Sequence, residues 1–257
     1  MAWPATRHLG SALLCFARPT VINPQILSAL RAREVARFVE ANPKSKSYFE
    51  NSNGWFQRVP FHWMLDWPSP FPIVAATAQG ATLISLDGRA FDDFCLGDTA
   101  SMFGHSPPPL AAALAEQAAQ GLSYMLPTTK GAELGDMLAS MFGLPHWQVT
   151  TTASEANRAV IRWCRGLTGR SKILIFNGCY HGAVDDVFVD LRDGVAVNRP
   201  SLIGQVQDLL PTTVAVEFND VVALESALRA GDIACVLAEP VMTNIGMVRD
   251  ASGYLET

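Results

Sequence analysis

The second half of the chain alternates short β-type runs with helical patterns, and this alternation constrains the possible folds more than any other feature. The β-type runs are WQVTT (147–151), KILIF (172–176), TTVAVEF (212–218) and IACVLAEP (233–240), and the helical segments are SEANRAVIRWCRGL (154–167) and DVVALESALRAG (220–231). Such alternation predicts an α/β fold with a mostly parallel sheet and helices on its faces. Binding sites in these sheets lie at the carboxyl ends of the strands, so functional residues are expected there.

The first half is less regular. Residues 22–41 repeat apolar positions at helical spacing and predict a surface helix. The stretch 43–72, rich in proline and aromatic residues, is expected to be irregular and to pack against a partner surface. Asp87-Gly88 separates two short β-type runs within 80–94, which predicts an antiparallel ribbon. Further helices are predicted at 107–121 and 129–142.

Composition narrows the class of protein and its partners. With 49% apolar residues and 17% charged ones, 257 residues can bury a large core. The net charge is −5 and neither sign forms a long run, which argues against nucleic acid as a partner and favours small molecules. Five widely spaced cysteines without a C-x-x-C pair favour a cytoplasmic protein.

A short apolar run at 9–17 follows Arg7 and His8, so a secretory leader has to be considered. The run is far shorter than the ~20 residues that cross a bilayer, so no membrane association is expected. An N-terminal helix or an unordered leader is the preferred interpretation.

Polar residues follow several of the predicted strands. The clusters are Ala153-Ser154-Glu155, NGCYHG at 177–182, Asn219-Asp220, and Glu239-Pro240 with Asn244 shortly after. Ser154 lies at the start of a helix, where free N–H groups and the helix dipole favour an anion such as phosphate, and the small Ala153 lets that anion approach the backbone. The alternative is that Ser154 only caps the helix.

The NGCYHG segment places Tyr180 and His181 between two glycines, which free the backbone to turn and to approach a ligand. Tyr180 offers a flat ring for stacking. A purely structural role is the alternative, and a Cys179/His181 nucleophile pair is disfavoured because a thiol and its base need to face each other. Glu239 ends an apolar strand, where a carboxylate needs a partner, so it is either hydrogen-bonded near the site or simply exposed.

These motifs together resemble one known family. The ordered segments TASEANRAVIRWCRGLTGRSKILIFNGCYHG, EFNDVVALESAL and AEPVMTNIG resemble the class III pyridoxal-phosphate-dependent aminotransferases, including the glutamate-1-semialdehyde aminomutase branch. The resemblance extends back through ISLDGRAFDDF, FGHSPPPLAAAL and YMLPT and covers roughly residues 80–257.

The resemblance implies a fold-type I enzyme that binds pyridoxal 5′-phosphate and acts on a small-molecule amino donor and a carbonyl acceptor, as a homodimer when full-length. It implies that Ala153 and Ser154 bind the cofactor phosphate and that Tyr180 stacks on the pyridine ring, with His181 beside it. It places Glu239 and Asn244 by the ring substituents. The implied organisation is an N-terminal helix and aromatic-rich arm (1–79), a β-ribbon and connection (80–106), and part of a large cofactor-binding domain (107–257).

Three departures from the family pattern matter. Ala153-Ser154 stands where the family more often has Gly-Thr or Gly-Ser. The family's Schiff-base lysine has no counterpart among Lys44, Lys46, Lys130 and Lys172, so the catalytic residue is unknown and the chain is expected to be the N-terminal part of a longer enzyme. Asp98 stands where the aminomutase branch has an aromatic residue, which favours ordinary amino transfer.

Two alternatives stay open beside the enzyme. The chain could be a non-catalytic remnant that pairs with a partner or binds the cofactor weakly, or an unrelated nucleotide-binding protein, which the lack of G-x-G-x-x-G disfavours. The segment from Ala183 to about Ser201 contains turn residues and little apolar periodicity, so it is expected to be a mobile lid over the site.

Overall fold

The computed structural model describes residues 23–200 and 202–255. The chain divides into two compact units, Met1–Leu126 and Pro127–Thr257. The apolar run at 9–17 lies outside the described residues. None of the helices within the described ranges has the length and apolar character needed to cross a membrane.

The first unit begins with two helices, α1 (Pro24–Ala41) and α2 (Pro43–Asn51). The Asn23 side chain caps α1 by accepting hydrogen bonds from two backbone N–H groups of its first turn, and α1 buries no residue, so the predicted surface helix is confirmed. The prediction that 43–72 is irregular is wrong for α2. Asp87, in the ribbon turn, accepts the N–H groups of Lys44 and Ser45 at 2.6 and 3.1 Å and so caps this helix from a distant part of the chain.

The remainder of the first unit contains the ribbon and a third helix. Two 3₁₀ turns lead to β1 (Ala75–Gln79), β2 (Thr82–Ser85) and β3 (Ala90–Asp92), which form one antiparallel sheet in that order, and α3 (Pro108–Gln120) follows. The predicted ribbon is confirmed, and β1 adds a third strand to it. His105 ties the connection after the ribbon back to it, because its Nε2 hydrogen-bonds the Asp93 carboxylate at 2.7 Å and its backbone pairs with Gly80.

The second unit opens with α4 (Thr129–Phe142), which was predicted, and continues through 147–151, where the predicted strand is absent. In the part of the chain that the structure describes, no strand pairs with these residues, and Val149 is 79% exposed. β-propensity alone does not make a strand when a pairing partner is missing. Helix α5 (Ala153–Thr168) then begins as predicted.

A parallel sheet forms the centre of the second unit. Its strands are β4 (Lys172–Phe176), β7 (Thr213–Val216) and β8 (Ile233–Val236), in the order β7-β4-β8, and helix α6 (Val221–Arg229) connects β7 to β8. The four apolar residues Ile173 to Phe176 of β4 are at most 1% exposed, as expected for a strand covered on both faces. Ile161 of α5 and Leu224 of α6 pack into the same core.

Two small antiparallel pairs complete the unit: β5 (Val189–Arg192) with β6 (Val195–Asn198), and β9 (Val241–Met242) with β10 (Val248–Arg249). The β5–β6 hairpin lies in the segment that was expected to be a mobile lid, and for its described residues that expectation is wrong; Ser201 lies outside the described residues. Val184, Val187 and Val189 are at most 1% exposed and belong to the core. Three buried valines anchor this segment in place of a hinged loop.

A candidate cofactor site at the carboxyl end of β4

Helix α5 begins with a capping arrangement that leaves Ser154 free for another role. Thr152 is the N-cap, and its hydroxyl oxygen accepts the Glu155 N–H at 3.2 Å. The Glu155 carboxylate accepts the backbone N–H of Thr151 at 3.0 Å and also its hydroxyl, and this side-chain hydrogen bond holds the pKa of Glu155 below its usual value. The alternative that Ser154 is the N-cap is therefore wrong, because Ser154 lies inside the first turn.

Ser154 joins the start of α5 to the NGCYHG segment. Its Oγ accepts the Ala183 N–H at 2.9 Å. Gly182 lies so close that a Cβ built on it would be 2.1 Å from Ser154 Oγ and 3.2 Å from Ser154 Cα, and its φ is +81°. Asn157, one turn further along α5, donates from Nδ2 to the His181 carbonyl at 2.9 Å. Two of the predicted clusters thus meet, and the contact requires glycine at 182.

Glu239 brings the third cluster to the same place. Its Oε1 accepts the Tyr180 N–H at 2.8 Å, and its Oε2 accepts the N–H and hydroxyl of Thr243 at 3.2 and 3.3 Å. Glu239 is half-buried and hydrogen-bonded rather than simply exposed, as its position at a strand end required. Beside it, a Cβ on Gly178 would lie 2.9 Å from Ile245 Cγ2, so the turn after β9 packs directly on the NGCYHG segment.

The side chains of the NGCYHG segment have contrasting environments. Tyr180 is 60% exposed, whereas His181 is 7% exposed and its Nε2 has no hydrogen-bond partner among the described residues. Burial lowers the pKa of His181, and the nearby Glu239 carboxylate opposes this shift. Burial raises the pKa of the Cys179 thiol to about 11, which makes it a poor nucleophile and agrees with the rejection of a Cys179/His181 pair.

Asn244 lies in the single 3₁₀ turn Thr243–Ile245 and is exposed. Its two neighbours contact Glu239 and Gly178, so it borders the cluster without a side-chain hydrogen bond in the described structure. Asn219 and Asp220 lie outside the cluster. Asn219 bonds the backbone of 249 and 251, and Asp220 caps α6, so both serve the fold.

Sequence reasoning missed three residues that support the cluster. Asn177 pairs with both backbone groups of Leu191, at 3.3 and 2.8 Å, and fixes the β5–β6 hairpin to the end of β4. Arg199 and Asp190 form an ion pair at 2.9 Å beside the Cys179 carbonyl. Asn177 belongs to the NGCYHG segment, but its role was not predicted, whereas Asp190 and Arg199 fall in a segment without apolar periodicity, where no sequence signal distinguishes them from loop residues.

The lysines of the second unit lie elsewhere. Lys172 begins β4, at the opposite end of the strand from NGCYHG, and pairs with Asp232 at 2.7 Å. Lys130 lies in the first turn of α4. Neither side chain has a described contact with the cluster around Tyr180, and the described residues contain no group of ligands suited to a metal ion.

Comparison with known sequences identifies the family to which this fold and this cluster of residues belong. The sequence model of the class-III aminotransferases matches residues 65–257, so the chain belongs to the class-III aminotransferase family. The match contains the region of resemblance, which began at about residue 80.

Individual relatives agree with this assignment. A glutamate-1-semialdehyde aminomutase from Pseudomonas aeruginosa PAO1 has 44% sequence identity and a TM-score of 0.85 over 90% of this chain and 52% of that one, and a variant of it was solved in complex with PMP. The glutamate-1-semialdehyde 2,1-aminomutase of Methanothrix thermoacetophila is 36% identical over 189 residues, 73% of this chain and 44% of that protein. An omega-transaminase from Sphaerobacter thermophilus has 27% identity and a TM-score of 0.75, covering 85% of this chain and 52% of that one.

The predicted fold-type I architecture is confirmed by these similarities. The chain spans about half the length of the relatives it matches, 44% of one and 52% of the other two.

Proposed function

We propose that the protein transfers amino groups between small molecules with pyridoxal 5′-phosphate as its cofactor. The observation that carries this proposal is the meeting in one place of three clusters: the start of α5, the NGCYHG segment after β4, and Glu239 after β8. Ser154 contacts Gly182 and Ala183, and Glu239 holds the Tyr180 N–H. The start of α5, where an anion is favoured, therefore adjoins the NGCYHG segment, which carries the exposed Tyr180 and is held by the Glu239 carboxylate. This is the combination that a phosphorylated, positively charged aromatic ring would need.

The residues present fit such a cofactor. The first N–H groups of α5 have no partner within the helix, and the helix dipole favours a phosphate there. Ser154 Oγ accepts the Ala183 N–H, so its own hydroxyl hydrogen stays available to an anion.

The other end of the cofactor would be held by the ring and carboxylate residues. Tyr180 would stack on the pyridine ring, while His181, Glu239 and Asn244 would lie by its substituents. The buried, unpartnered Nε2 of His181 is a polar atom that a ligand group or water could satisfy. When bound, the cofactor supplies an electron sink that lets an amino group leave one carbon and enter another. This chain's residues bind and orient it.

We propose that the amino group moves from an amino donor to a separate carbonyl acceptor, and that the full-length protein is a cytoplasmic homodimer. Asp98, which stands in place of the aminomutase aromatic, supports transfer between two molecules. Intramolecular transfer is the second candidate, because relatives with 36% and 44% identity carry the name glutamate-1-semialdehyde aminomutase. The two are separated by giving the full-length protein either glutamate-1-semialdehyde alone or an amino donor with a 2-oxo acid. Turnover of the semialdehyde alone would establish the second candidate.

The cofactor assignment is tested by titrating the full-length protein with pyridoxamine 5′-phosphate (PMP), which binds without a covalent bond to lysine. Tyr180→Ala removes a stacking contact, so the PMP dissociation constant should rise by roughly tenfold and the absorption of bound PMP should shift. Ser154→Ala deletes one donor but keeps the backbone N–H groups, so affinity should fall without a spectral shift.

The losses from Tyr180→Ala and Ser154→Ala should be nearly additive if the two residues hold opposite ends of one ligand. Trp163→Ala is the matched control, because Trp163 is a similarly exposed aromatic residue, at 56%, nine positions after Ser154 on the same helix. If Tyr180→Ala leaves both PMP affinity and spectrum unchanged, NGCYHG is not the cofactor segment.

A further inference from the structure

We infer that Arg199, held by Asp190, is a positioning residue that fixes the peptide unit carrying Tyr180 and so sets the orientation of its ring. The inference rests on the proposed function, because it concerns how tightly the ring can stack on the cofactor. It gives the β5–β6 region, which follows NGCYHG, a role in the site without direct contact with the cofactor.

The geometry concerns a single peptide unit. The Cys179 carbonyl and the Tyr180 N–H belong to the same trans peptide, so they point in opposite directions. Glu239 Oε1 accepts the N–H at 2.8 Å, and Arg199 Nη2 donates to the carbonyl at 3.4 Å. Two oppositely charged side chains therefore hold this unit from its two sides, and rotation of the peptide plane would break both contacts.

The segment needs such external contacts because its own backbone is permissive. Gly178 and Gly182 flank Tyr180 at φ of +80° and +81°, and glycine resists rotation less than any other residue. Tyr180 as a residue is 60% exposed, so packing of its side chain contributes little to the orientation of the ring. The backbone contacts on either side remain as the elements that set where the ring lies.

Arg199 is well placed to act as a rigid support. Its Nε donates to Asp190 Oδ1 at 2.9 Å, its backbone N–H donates to the Phe188 carbonyl at 2.8 Å, and its guanidinium lies over the Phe188 ring at 5.4 Å. The Arg199 and Asp190 side chains are only 25% and 21% exposed. A planar guanidinium can serve Asp190 and the Cys179 carbonyl together, which a lysine ammonium cannot do in the same geometry.

The test measures PMP binding and the circular dichroism of bound PMP in the full-length protein. Arg199→Gln should raise the PMP dissociation constant about three- to tenfold, and no further than Tyr180→Ala, because misorientation can forfeit at most the stacking contact. Arg199→Gln should also weaken the circular dichroism signal of bound PMP. Arg199→Lys should restore less than half of the signal that Arg199→Gln loses. Arg192→Gln is the matched control, since Arg192 is an exposed arginine of the same hairpin, and it should leave affinity and signal unchanged.

The decisive comparison combines variants. If Arg199 acts through Tyr180, Arg199→Gln should change PMP affinity by less than about twofold in the Tyr180→Ala background. An equal loss in both backgrounds would overturn the inference, as would unchanged affinity and circular dichroism in Arg199→Gln. If Arg199→Gln does not fold, Asp190→Asn carries the same comparison, with an expected loss of about two- to threefold that vanishes when Tyr180 is alanine.

A failure of the proposed function gives a different result. In that case Tyr180→Ala itself leaves PMP affinity unchanged, and the inference about Arg199 falls with it. When Tyr180→Ala weakens PMP binding and Arg199→Gln does not, the cofactor assignment stands and only the positioning role is overturned.

Discussion

Replacing Gly182 with alanine should disrupt the contact that joins α5 to the NGCYHG segment. Gly182 has a φ of +81°, and an L-residue in the left-handed region costs about 1–2 kcal/mol. The new Cβ would also lie 2.1 Å from Ser154 Oγ and 3.1 Å from Ser154 Cβ, so Ser154 or the backbone has to move. Overpacking of this kind costs about 1–3 kcal/mol, which gives a total of roughly 2–5 kcal/mol.

Gly194 provides the matched control for the backbone contribution. It has a nearly equal φ of +78°, but a Cβ there meets nothing within 4 Å. Gly194→Ala should therefore cost only the backbone strain of about 1–2 kcal/mol. The difference between the two variants isolates the steric conflict with Ser154. Urea denaturation gives the free energy of unfolding of each variant, and the difference is calculated from these values. PMP affinity should fall for Gly182→Ala and not for Gly194→Ala.

A second-site change sharpens the test. Ser154→Ala removes the Oγ at 2.1 Å but leaves the Cβ at 3.1 Å, so it should recover part of the stability that Gly182→Ala loses. The reasoning is refuted if Gly182→Ala and Gly194→Ala lose equal stability, or if Ser154→Ala gives no recovery. Either result would mean that Ser154 and Gly182 are not in contact as described.

Three further predictions concern His181, Asn177 and the 257-residue chain itself. Because burial lowers the pKa of His181, the folded protein resists protonation there, and the free energy of unfolding should fall as pH decreases below the usual histidine value of about 6.5. His181→Gln should flatten this dependence of stability on pH, whereas His146→Gln, at an exposed position, should not. Equal pH profiles for the wild type and His181→Gln would contradict this prediction. Asn177→Ala should destabilise the protein by about 1–3 kcal/mol, because both backbone groups of Leu191 lose their partner, and a urea midpoint equal to that of the wild type would refute the role of Asn177. The 257-residue chain by itself should show no aminotransferase turnover and, after pyridoxal phosphate and borohydride, no stoichiometric adduct at one lysine, which mass spectrometry can check.

The parts of the fold that depend on local sequence patterns could be predicted. The run KILIF predicted a buried strand and DVVALESALRAG a helix, and β4 and α6 lie within those bounds. Asp87-Gly88 predicted the ribbon turn between β2 and β3. These predictions succeeded because turn chemistry and apolar periodicity act over a few neighbouring residues.

The candidate site could be predicted only in part. Ser154, Tyr180 and Glu239 were singled out by their place after strands or at a helix start, and the structure brings all three clusters together. The hydrogen-bond partner of each residue could not be predicted. Ser154 bonds a residue 29 positions away and Tyr180 one that is 59 away, and nothing in either local sequence specifies those partners.

The sequence by itself determined where β4, α5 and α6 form. Only the tertiary structure decided that α2 exists, because its cap is Asp87, 43 residues along the chain. It also decided that 147–151 is not a strand, since those residues gain no ladder in the described structure. The residues after Ala183 form an anchored hairpin because three valines reach the core. The physical reason is common to all three: strand ladders, side-chain caps and core packing need partners that are distant in sequence, and folding alone brings them together.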